Sequence, residues 1–363
     1  MKAIVSQENL KKALLLSERA TSRTATLPIL NNVLMRTENG RLKVSATNLE
    51  IGVHCVIGAK IEKEGAIAVP AKTVADFVTS SPAGAIVLSV QDHVLTLKSE
   101  TYKTTVLGFD TAEYPIIPKV TGDTVATMNP EILKRSLASV VDASAVSENR
   151  PELAGVYIAF SDGKTVFAAT DSFRLAERSG VSKKGRQETV IIPRATAMEV
   201  IRLCDQNIGD IAVRIADNQI SFSGEDAEVV SRLVDGTYPD YRKIIPEKAV
   251  TRVLVSRKDM EDAVRLTSVF SSNISDIQLL CKEGTLSFSA KNSAKGDALV
   301  SASANVKGDD FELTVNHYYL SDGLKSVPGD EIVLEYTGTG SPLVIRMAEE
   351  PKDALYLVMP LRR

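Results

Sequence analysis

The stretch VYIAFSDGKTVFAAT, residues 156–170, decides the fold. Apolar and polar residues alternate on both sides of Asp162-Gly163, a pattern typical of two half-buried strands joined by a hairpin turn. Two other stretches share this pattern: VLMRTENGRLKVSAT at residues 33–47 and IQLLCKEGTLSFSA at residues 277–290. Three such hairpins predict antiparallel sheet in each third of the chain.

The hairpins belong to an internal repeat, because other landmarks recur at nearly the same spacing. Ala46-Thr47-Asn48 returns 123 residues later as Ala169-Thr170-Asp171, and a further 121 residues on as Ala290-Lys291-Asn292. Further pairs are Val69-Pro70 with Ile192-Pro193 and, more weakly, Val315-Asn316, and Tyr114-Pro115 with Tyr238-Pro239. This period is too long for a solenoid, so the repeats are domains.

Each third opens with a segment of helical spacing, namely VSQENLKKAL from Val5, MNPEILKRSL from Met128 and VSRKDMEDAV from Val255. Their predicted N-cap residues are Ser6, Asn129 and Ser256. A second helix is predicted after the Val-Pro or Ile-Pro landmark. The expected fold class is therefore α+β, with helices on one face of antiparallel sheet. We predict three domains, at residues 1–121, 122–248 and 249–363.

Composition excludes several classes of protein. Apolar residues make up 44% of the 363 residues and charged residues 25%, which is typical of a globular chain rather than a disordered one. No apolar run approaches the ~20 residues of a membrane helix, and Lys11-Lys12 interrupt any signal-peptide core. The three cysteines, Cys55, Cys204 and Cys281, are too scattered for a disulfide framework or a zinc ribbon. We expect a cytoplasmic protein with reduced thiols.

Enzyme motifs are missing from the sequence. The three histidines, His54, His93 and His317, stand outside HExxH and lack a second ligand at metal spacing. The chain has no P-loop, no GxGxxG after a strand and no GxSxG. Asp171 and Asp240 are carboxylates inside motifs, and we interpret them as capping or turn residues rather than as a catalytic pair. The sequence therefore predicts neither catalysis nor a metal site.

Four strings give the chain a family resemblance: TLPIL at Thr26–Leu30, ATDSFRLA at Ala169–Ala176, LVDGTYPDYRKIIP at Leu233–Pro246 and YLVMPLRR from Tyr356. Together with the triple repeat, they resemble the bacterial DNA polymerase III beta subunit, the family of sliding clamps, over the whole chain. The resemblance implies the DNA clamp fold, in which a head-to-tail homodimer closes six domains into a ring around duplex DNA. It implies a processivity factor with no catalytic residues, cofactor or membrane association.

The resemblance also implies a groove between the second and third domains that binds short peptides of partner proteins. Expected partners are the polymerase III alpha subunit, the clamp loader, other DNA polymerases, ligase and mismatch-repair proteins. The matching groove positions are Leu153, Thr170, Ser172, Arg174, Leu175, Pro239, Arg242, Ile274, Pro342, Leu343, Leu357, Val358, Met359, Pro360 and Leu361. The aliphatic residues would form an apolar slot, and Arg174 and Arg242 would donate hydrogen bonds at its rim.

The chain departs from the family pattern at the groove. Ser172 and Phe173 stand where the family often has Gly-His, and Lys243 stands where a second arginine is common. Ile274 stands where a larger aromatic residue can occur. These departures bear on which peptides fit.

A sliding ring needs basic residues that meet phosphate without reading sequence. The candidate DNA-facing residues are Lys11, Lys12, Arg23, Lys72, Lys134, Arg135, Arg150, Arg194, Arg202, Lys258, Arg265 and Lys325. The resemblance further implies a dimer interface of Lys72, Thr104 and Val106 in the first domain and Val269 and Phe270 in the third. The net charge of −3 carries no such signal, although the first third has an excess of three basic residues.

Two alternatives to a DNA-encircling clamp stay open on residues alone. The first is a scaffold of three repeats that binds peptides without closing around DNA. The second is an enzyme with an unrecognised site. Basic residues on both helices of all three repeats favour the clamp.

Overall fold

The computed structural model describes residues 1–21, 27–147, 149–183, 185–206 and 209–361. Within them, six α-helices are formed: α1 (Gln7–Glu18), α2 (Ala71–Ser80), α3 (Pro130–Val140), α4 (Arg194–Cys204), α5 (Arg257–Ser268) and α6 (His317–Ser326). Each third of the chain thus contains two helices, as the repeat predicts. The strands of the first third are β1 (Lys2–Ser6), β2 (Asn32–Glu38), β3 (Arg41–Thr47), β4 (Ile51–Gly58), β5 (Lys60–Lys63), β6 (Ala66–Pro70), β7 (Ala85–Gln91), β8 (Val94–Lys98) and β9 (Lys103–Leu107).

The other strands follow the same plan. Those of the middle third are β10 (Thr124–Met128), β11 (Gly155–Ser161), β12 (Lys164–Thr170), β13 (Arg174–Val181), β14 (Glu188–Pro193), β15 (Ile211–Ala216), β16 (Gln219–Ser223) and β17 (Ala227–Arg232). Those of the last third are β18 (Thr251–Ser256), β19 (Asp276–Lys282), β20 (Thr285–Asn292), β21 (Gly296–Ala302), β22 (Ala304–Lys307), β23 (Phe311–Asn316), β24 (Glu331–Tyr336), β25 (Leu343–Met347) and β26 (Ala354–Val358). Their described ladders are antiparallel.

The helix N-caps predicted from sequence are confirmed. The side chains of Ser6 and Ser256 each accept an amide hydrogen bond of 3.3 Å in the first turn of α1 and α5. Asn129 Oδ1 accepts the amide of Glu131 at 2.9 Å before α3. The hairpin at Asn39-Gly40 has positive φ at both residues, 51° and 73°, as a tight hairpin turn requires.

The described residues divide into two compact units. The first contains Met1–Lys134, Ser182–Glu188 and Ala195–Leu233, and the second contains Arg135–Val181, Thr189–Arg194 and the residues from Val234 onward. The boundary falls within α3, inside the predicted second domain. The division at residues 121 and 248 therefore stays a prediction.

The first unit contains a five-stranded sheet in the order β5-β1-β7-β8-β9 and an eight-stranded sheet in the order β10-β15-β16-β17-β4-β3-β2-β6. Helix α1 packs on α2 and on β4, and buries Leu10, Ala13 and Leu14. One close approach is notable: a Cβ atom on Gly52 would lie 2.4 Å from Cγ2 of Ile117, so the Ile117 side chain fills the space above this glycine.

The second unit contains a nine-stranded sheet in the order β14-β11-β12-β13-β26-β25-β24-β18-β22 and a four-stranded sheet in the order β21-β20-β19-β23. Helices α5 and α6 pack on each other, and α6 lies on β26. A Cβ atom on Gly323 of α6 would meet the Tyr356 ring at 2.6 Å, so only glycine permits this packing. The last strand of the chain is thereby held in the middle of a sheet.

Candidate functional sites

A tight turn between β12 and β13, residues Thr170–Arg174, begins the predicted groove, and we call it the groove turn. Asp171 Oδ1 accepts the amides of Phe173 and Arg174 at 2.9 and 3.0 Å, which confirms the interpretation of Asp171 as a turn residue. Ser172 has a φ of 78°, a backbone region that favours glycine. The turn exposes Phe173, and 60% of this residue is open to solvent.

The C-terminal segment forms the neighbouring wall. Leu175 in β13 pairs with Leu357 in β26, which pairs with Val344 in β25. Beyond the strand, the Met359 amide donates to the carbonyl of Phe173 at 2.8 Å. The apolar residues Leu357 and Val358 are buried because β26 lies between β13 and β25 in the sheet.

A compact apolar cluster forms the floor, and we call it the groove cluster. Its buried residues are Ala168, Leu175, Tyr241, Val344, Leu355 and Leu357, and Tyr157, Tyr238, Ile245 and Met359 pack against it. The rings of Tyr157 and Tyr238 stack with centroids 5.1 Å apart, and the Tyr241 hydroxyl donates to Glu177 at 2.5 Å. Burial and Glu177 raise the pKa of Tyr241, so its hydroxyl stays a donor. Sequence reasoning missed the three tyrosines, although Tyr238 and Tyr241 lie within the family string.

The predicted groove residues differ in exposure. Buried positions are Leu153, Thr170, Arg174, Leu175, Leu343, Leu357 and Val358; half-buried ones are Pro342, Met359, Pro360 and Leu361; exposed ones are Ser172, Pro239, Arg242 and Ile274. The groove turn, β26 and Leu343 of β25 come together through strand pairing. Met359, Pro360 and Leu361 also line a cavity of about 440 Å³ with Thr314, Tyr336 and Ser341. Leu153 precedes β11 and Ile274 precedes β19, each on a separate loop.

Arg174, which the sequence predicts to be a rim donor, is largely buried. Only 9% of the residue is exposed. Its Nε lies 2.9 Å from Asp171 Oδ2, its Nη1 lies 2.5 Å from Asp322 Oδ2, and its guanidinium stands 4.5 Å from the centroid of the Tyr319 ring. The chain therefore already engages Nε and Nη1 of this guanidinium, and the role of Arg174 as a donor to a bound peptide stays a prediction.

Arg242 retains the properties predicted for the rim. Its side chain is 64% exposed, and its Nε lies 3.8 Å from Glu177 Oε2. Lys243 is also exposed and pairs with Asp240 at 3.0 Å. Arg242 therefore borders the groove cluster, with its guanidinium 6.0 Å from the centroid of the Tyr241 ring.

Ten of the predicted DNA-facing residues lie on the six helices, two on each except α2 and α6, which carry one. Arg150 lies in the loop before β11, and Arg23 lies outside the described residues. Among the described residues, Lys11, Lys72, Arg135 and Lys258 have no acidic partner within 4 Å. Six others form an ion pair with a half-exposed or exposed acid: Lys12–Glu8, Lys134–Asp205, Arg150–Glu152, Arg194–Asp142, Arg265–Asp262 and Lys325–Asp322.

Arg194 and Arg202 serve the fold. Arg194 donates to the carbonyl of Val141 and to Ser144 Oγ in addition to its ion pair, so it ties the start of α4 to the segment after α3. Arg202 pairs with the buried Glu199 one turn earlier. Burial raises the pKa of Glu199 despite this arginine, which shows how costly the carboxylate would be without it.

Four of the five predicted interface residues lie at sheet edges or beside them, and the fifth, Lys72, is in α2. Thr104 and Val106 belong to β9, an edge strand, and Val269 and Phe270 follow α5, with Phe270 3.8 Å from the Cβ position of Gly296 at the start of β21. Val106 is 8% exposed, so its side chain packs within the unit rather than at an open surface. The residue that points outward is its neighbour Leu107, 76% exposed, which the alternation of β9 could have indicated.

The thiols of Cys55 and Cys204 are buried and the imidazole of His54 is half-buried, as is typical of structural rather than reactive groups. Burial raises the pKa of the Cys55 and Cys204 thiols to about 12, so both are unreactive near neutral pH. Burial and the nearby Lys43 lower the pKa of His54 to about 4, and its Nδ1 lies 2.9 Å from Ser45 Oγ. In the described parts of the chain, no group of three or more His, Cys, Asp or Glu residues could hold a metal ion. No helix there is long and apolar enough to cross a membrane.

Family models match all three thirds of the chain. The N-terminal, central and C-terminal domains of the DNA polymerase III beta subunit match residues 1–118, 127–240 and 242–362. Among curated relatives, the beta sliding clamp of Staphylococcus epidermidis strain RP62A is 26% identical over 362 residues, which cover 95% of this chain and 94% of the relative. That of Synechocystis is 28% identical over 389 residues, which cover 100% and 99%.

Solved structures agree with these matches. The sliding clamp of Bartonella birtlesii, solved with griselimycin bound, is 30% identical and superposes with a TM-score of 0.92 over 100% of both chains. The beta subunit of Thermotoga maritima is 25% identical, with a TM-score of 0.94 over 100% of this chain and 99% of the other. Three tandem helix-on-sheet repeats of this kind define a DNA clamp. The chain belongs to the DNA polymerase III beta subunit family, and its function is that of a DNA sliding clamp.

Proposed function

We propose that two copies of this chain associate head to tail, first domain against third, into a ring of six domains around duplex DNA. The observation that carries this proposal is a pair of open sheet edges. Among the described strands, β9 and β21 each pair with a strand on one side only, and each exposes a large aliphatic residue, Leu107 at 76% and Leu299 at 71%. Unpaired edge strands are templates for a second chain. A head-to-tail contact that closes forms a ring.

DNA is held in this ring by enclosure rather than by base recognition. The basic residues of the helices supply non-specific attraction to phosphate. Lys11, Lys72, Arg135 and Lys258 form no ion pair within 4 Å among the described residues, and they carry most of this attraction. The ion-paired residues contribute less, because their charge is partly neutralised.

Partner proteins dock at the groove turn and the groove cluster. An apolar peptide side chain packs against the half-buried Met359 beside the groove cluster, and the exposed Phe173 and Arg242 border the bound peptide. The partners are the polymerase III alpha subunit, the clamp loader, other DNA polymerases, ligase and mismatch-repair proteins. The clamp acts in the cytoplasm and contributes no catalytic residues of its own.

Retention on DNA tests the enclosure directly. The protein is loaded with its clamp loader and ATP onto nicked circular plasmid, half of the sample is linearised, and both halves are gel-filtered. Retention on circles with loss from linear DNA is expected, because a ring slides off an open end. Equal retention on both forms would mean ordinary affinity binding. Loss from both, with a loader verified on a known clamp, would favour a scaffold that does not enclose DNA.

A further inference from the structure

Two turns in the chain share one hydrogen-bond framework, the turn Thr47–Ile51 in the first domain and the groove turn. The Thr47 hydroxyl donates to the carbonyl of Ile51 at 2.8 Å and accepts the amide of Leu49 at 3.0 Å. In the groove turn, the hydroxyl of Thr170 makes the same two bonds at 2.6 and 3.2 Å. Asn48 and Asp171 each accept two amides through Oδ1. The two turns therefore form the same four hydrogen bonds between these side chains and the backbone.

The two turns also share an unfavourable residue. Leu49 has a φ of 77° and Ser172 a φ of 78°, where a residue with a Cβ is strained. After the shared threonine, Asn48-Leu49-Glu50-Ile51 in the first turn stand against Asp171-Ser172-Phe173-Arg174 in the groove turn. At the last position the groove turn has a charged residue, Arg174, where the first turn has the apolar Ile51.

Arg174 adds a charged connection to helix α6. Its guanidinium contacts Asp171 in the turn at 2.9 Å and Asp322 in α6 at 2.5 Å, and it lies over the ring of Tyr319, one turn earlier in α6. The arginine and Asp171 side chains are only 10% and 12% exposed, and that of Asp322 is 25% exposed. Charge-assisted hydrogen bonds shielded from water are stronger than exposed ones.

The other ion pair of Asp322 contributes little to the stability of the fold. Its second oxygen lies 3.5 Å from Nζ of Lys325, whose side chain is 73% exposed, and such surface pairs contribute little. Although burial lowers the pKa of Arg174, the neighbouring Tyr356, Asp171 and Asp322 raise it overall. The main role of the Asp322 carboxylate is therefore toward Arg174.

The groove depends on this connection through the backbone. The Phe173 carbonyl accepts the amide of Met359 at 2.8 Å, so the turn sets both the position of the Phe173 ring and the course of the C-terminal wall. A shift of the turn would displace both sides of the docking surface together.

We propose that Asp322 is a positioning residue for partner docking, which through Arg174 holds the groove turn in the shape that accepts a peptide. The inference rests on the proposed docking function. It assigns a role to a residue of α6 that lies outside the groove cluster and outside the predicted groove positions.

The experiment compares Asp322→Asn with wild type by fluorescence polarisation. The probe is a fluorescein-labelled peptide with the C-terminal sequence of the polymerase III alpha subunit from the same organism. We expect binding about five- to tenfold weaker, because the amide keeps the shape of Asp322 and loses its charge. Asp322→Glu restores the charge and is expected to recover part of the affinity. Lys325→Ala, which removes the other partner of Asp322, is expected to leave affinity within about twofold.

A matched control uses an exposed acid of the neighbouring helix. Glu261 in α5 lies 3.7 Å from Arg257, and Glu261→Gln removes one charge from a helix surface just as Asp322→Asn does. Its peptide affinity is expected to equal that of wild type. Thermal unfolding of all variants reports whether the fold is intact.

Hydrogen–deuterium exchange on the free protein separates positioning from general destabilisation. In Asp322→Asn we expect faster exchange at the amides of Phe173 and Met359, with α5 unchanged. Unchanged exchange at the groove turn together with unchanged affinity would overturn the inference. Faster exchange throughout α6 and its sheet would also overturn it, since Asp322 would then be merely structural. If wild type fails to bind the peptide, the docking function fails, whereas the exchange result still tests the positioning.

Discussion

The backbone amide of Met359 donates a hydrogen bond of 2.8 Å to the carbonyl oxygen of Phe173. This bond continues the ladder between β13 and β26 past the end of both strands, and brings the Met359 side chain against the groove cluster. The last described residues of the chain are therefore a structural wall of the proposed docking site.

Truncation of this wall should weaken docking without affecting the ring. Met359→Ala removes a flexible side chain from the cluster, and we expect peptide affinity to fall about tenfold, or about 1.4 kcal/mol. Fluorescence polarisation with the polymerase peptide measures the change. Val181→Ala, at an exposed end of β13, is the control with unchanged affinity. Normal peptide binding by Met359→Ala would show that the groove lies elsewhere.

Reversal of the unpaired helix charges should impair DNA retention. Lys11, Lys72, Arg135 and Lys258 replaced together by Glu would repel phosphate, so we expect less clamp on nicked plasmid after loading, most clearly at low salt. Peptide affinity should stay unchanged.

The control for charge reversal uses four exposed strand residues, Lys60, Lys98, Lys282 and Lys307. Replacement of these by Glu changes the net charge equally and should leave retention at the wild-type level. Equal retention by both quadruple variants would refute the assignment of the helix residues.

The open edge of β9 should control dimerisation. Leu107→Asp places a charge on the exposed side of the edge, and burying it against a second chain would be costly, so we expect monomers in sedimentation velocity. Ile116→Asp, at a residue 92% exposed in the same domain, should remain dimeric. A Leu107→Asp dimer as stable as wild type would exclude this edge from the interface.

His54 should make the first unit less stable in acid. Because its pKa falls from 6.5 to about 4 on folding, chiefly through burial, the unfolded chain binds a proton first as the pH decreases. Stability is full above pH 6.5 and is lost progressively between pH 6.5 and 4, by at most about 3 kcal/mol. Thermal unfolding against pH measures this. His54→Gln should show a smaller loss in that window, and an identical pH profile for both proteins would contradict the assignment.

The sequence predicted the structural features that depend only on neighbouring residues. The Asn39-Gly40 hairpin and the Ser6 and Ser256 caps depend on a few neighbouring residues, and the structure has all of them. The alternation of β9 is local too, since Val106 is buried and Leu107 is exposed. The expectation that Val106 belongs to a dimer interface stays a prediction.

Contacts between residues far apart in the chain could not be predicted from the sequence. Arg174 lies next to a run of groove positions, and nothing near it indicates that Asp322, 148 residues away, neutralises it. Arg194 is a similar case. The sequence predicts that it faces DNA, but does not show that its guanidinium hydrogen-bonds to the segment after α3. The sequence identifies a basic residue, but it does not show whether the folded chain already engages that side chain in an ion pair or hydrogen bond.

The approach of Ile117 to Gly52 bears on stoichiometry. Gly52 follows the first-domain turn as Leu175 follows the groove turn, yet the chain's own Ile117 covers it. The duplicated turn is thus already occupied from within, so under the proposed docking function the groove turn would be the one of the two that accepts a partner. A ring of two chains would then offer two such turns, and every further partner would have to wait for one of the bound partners to leave.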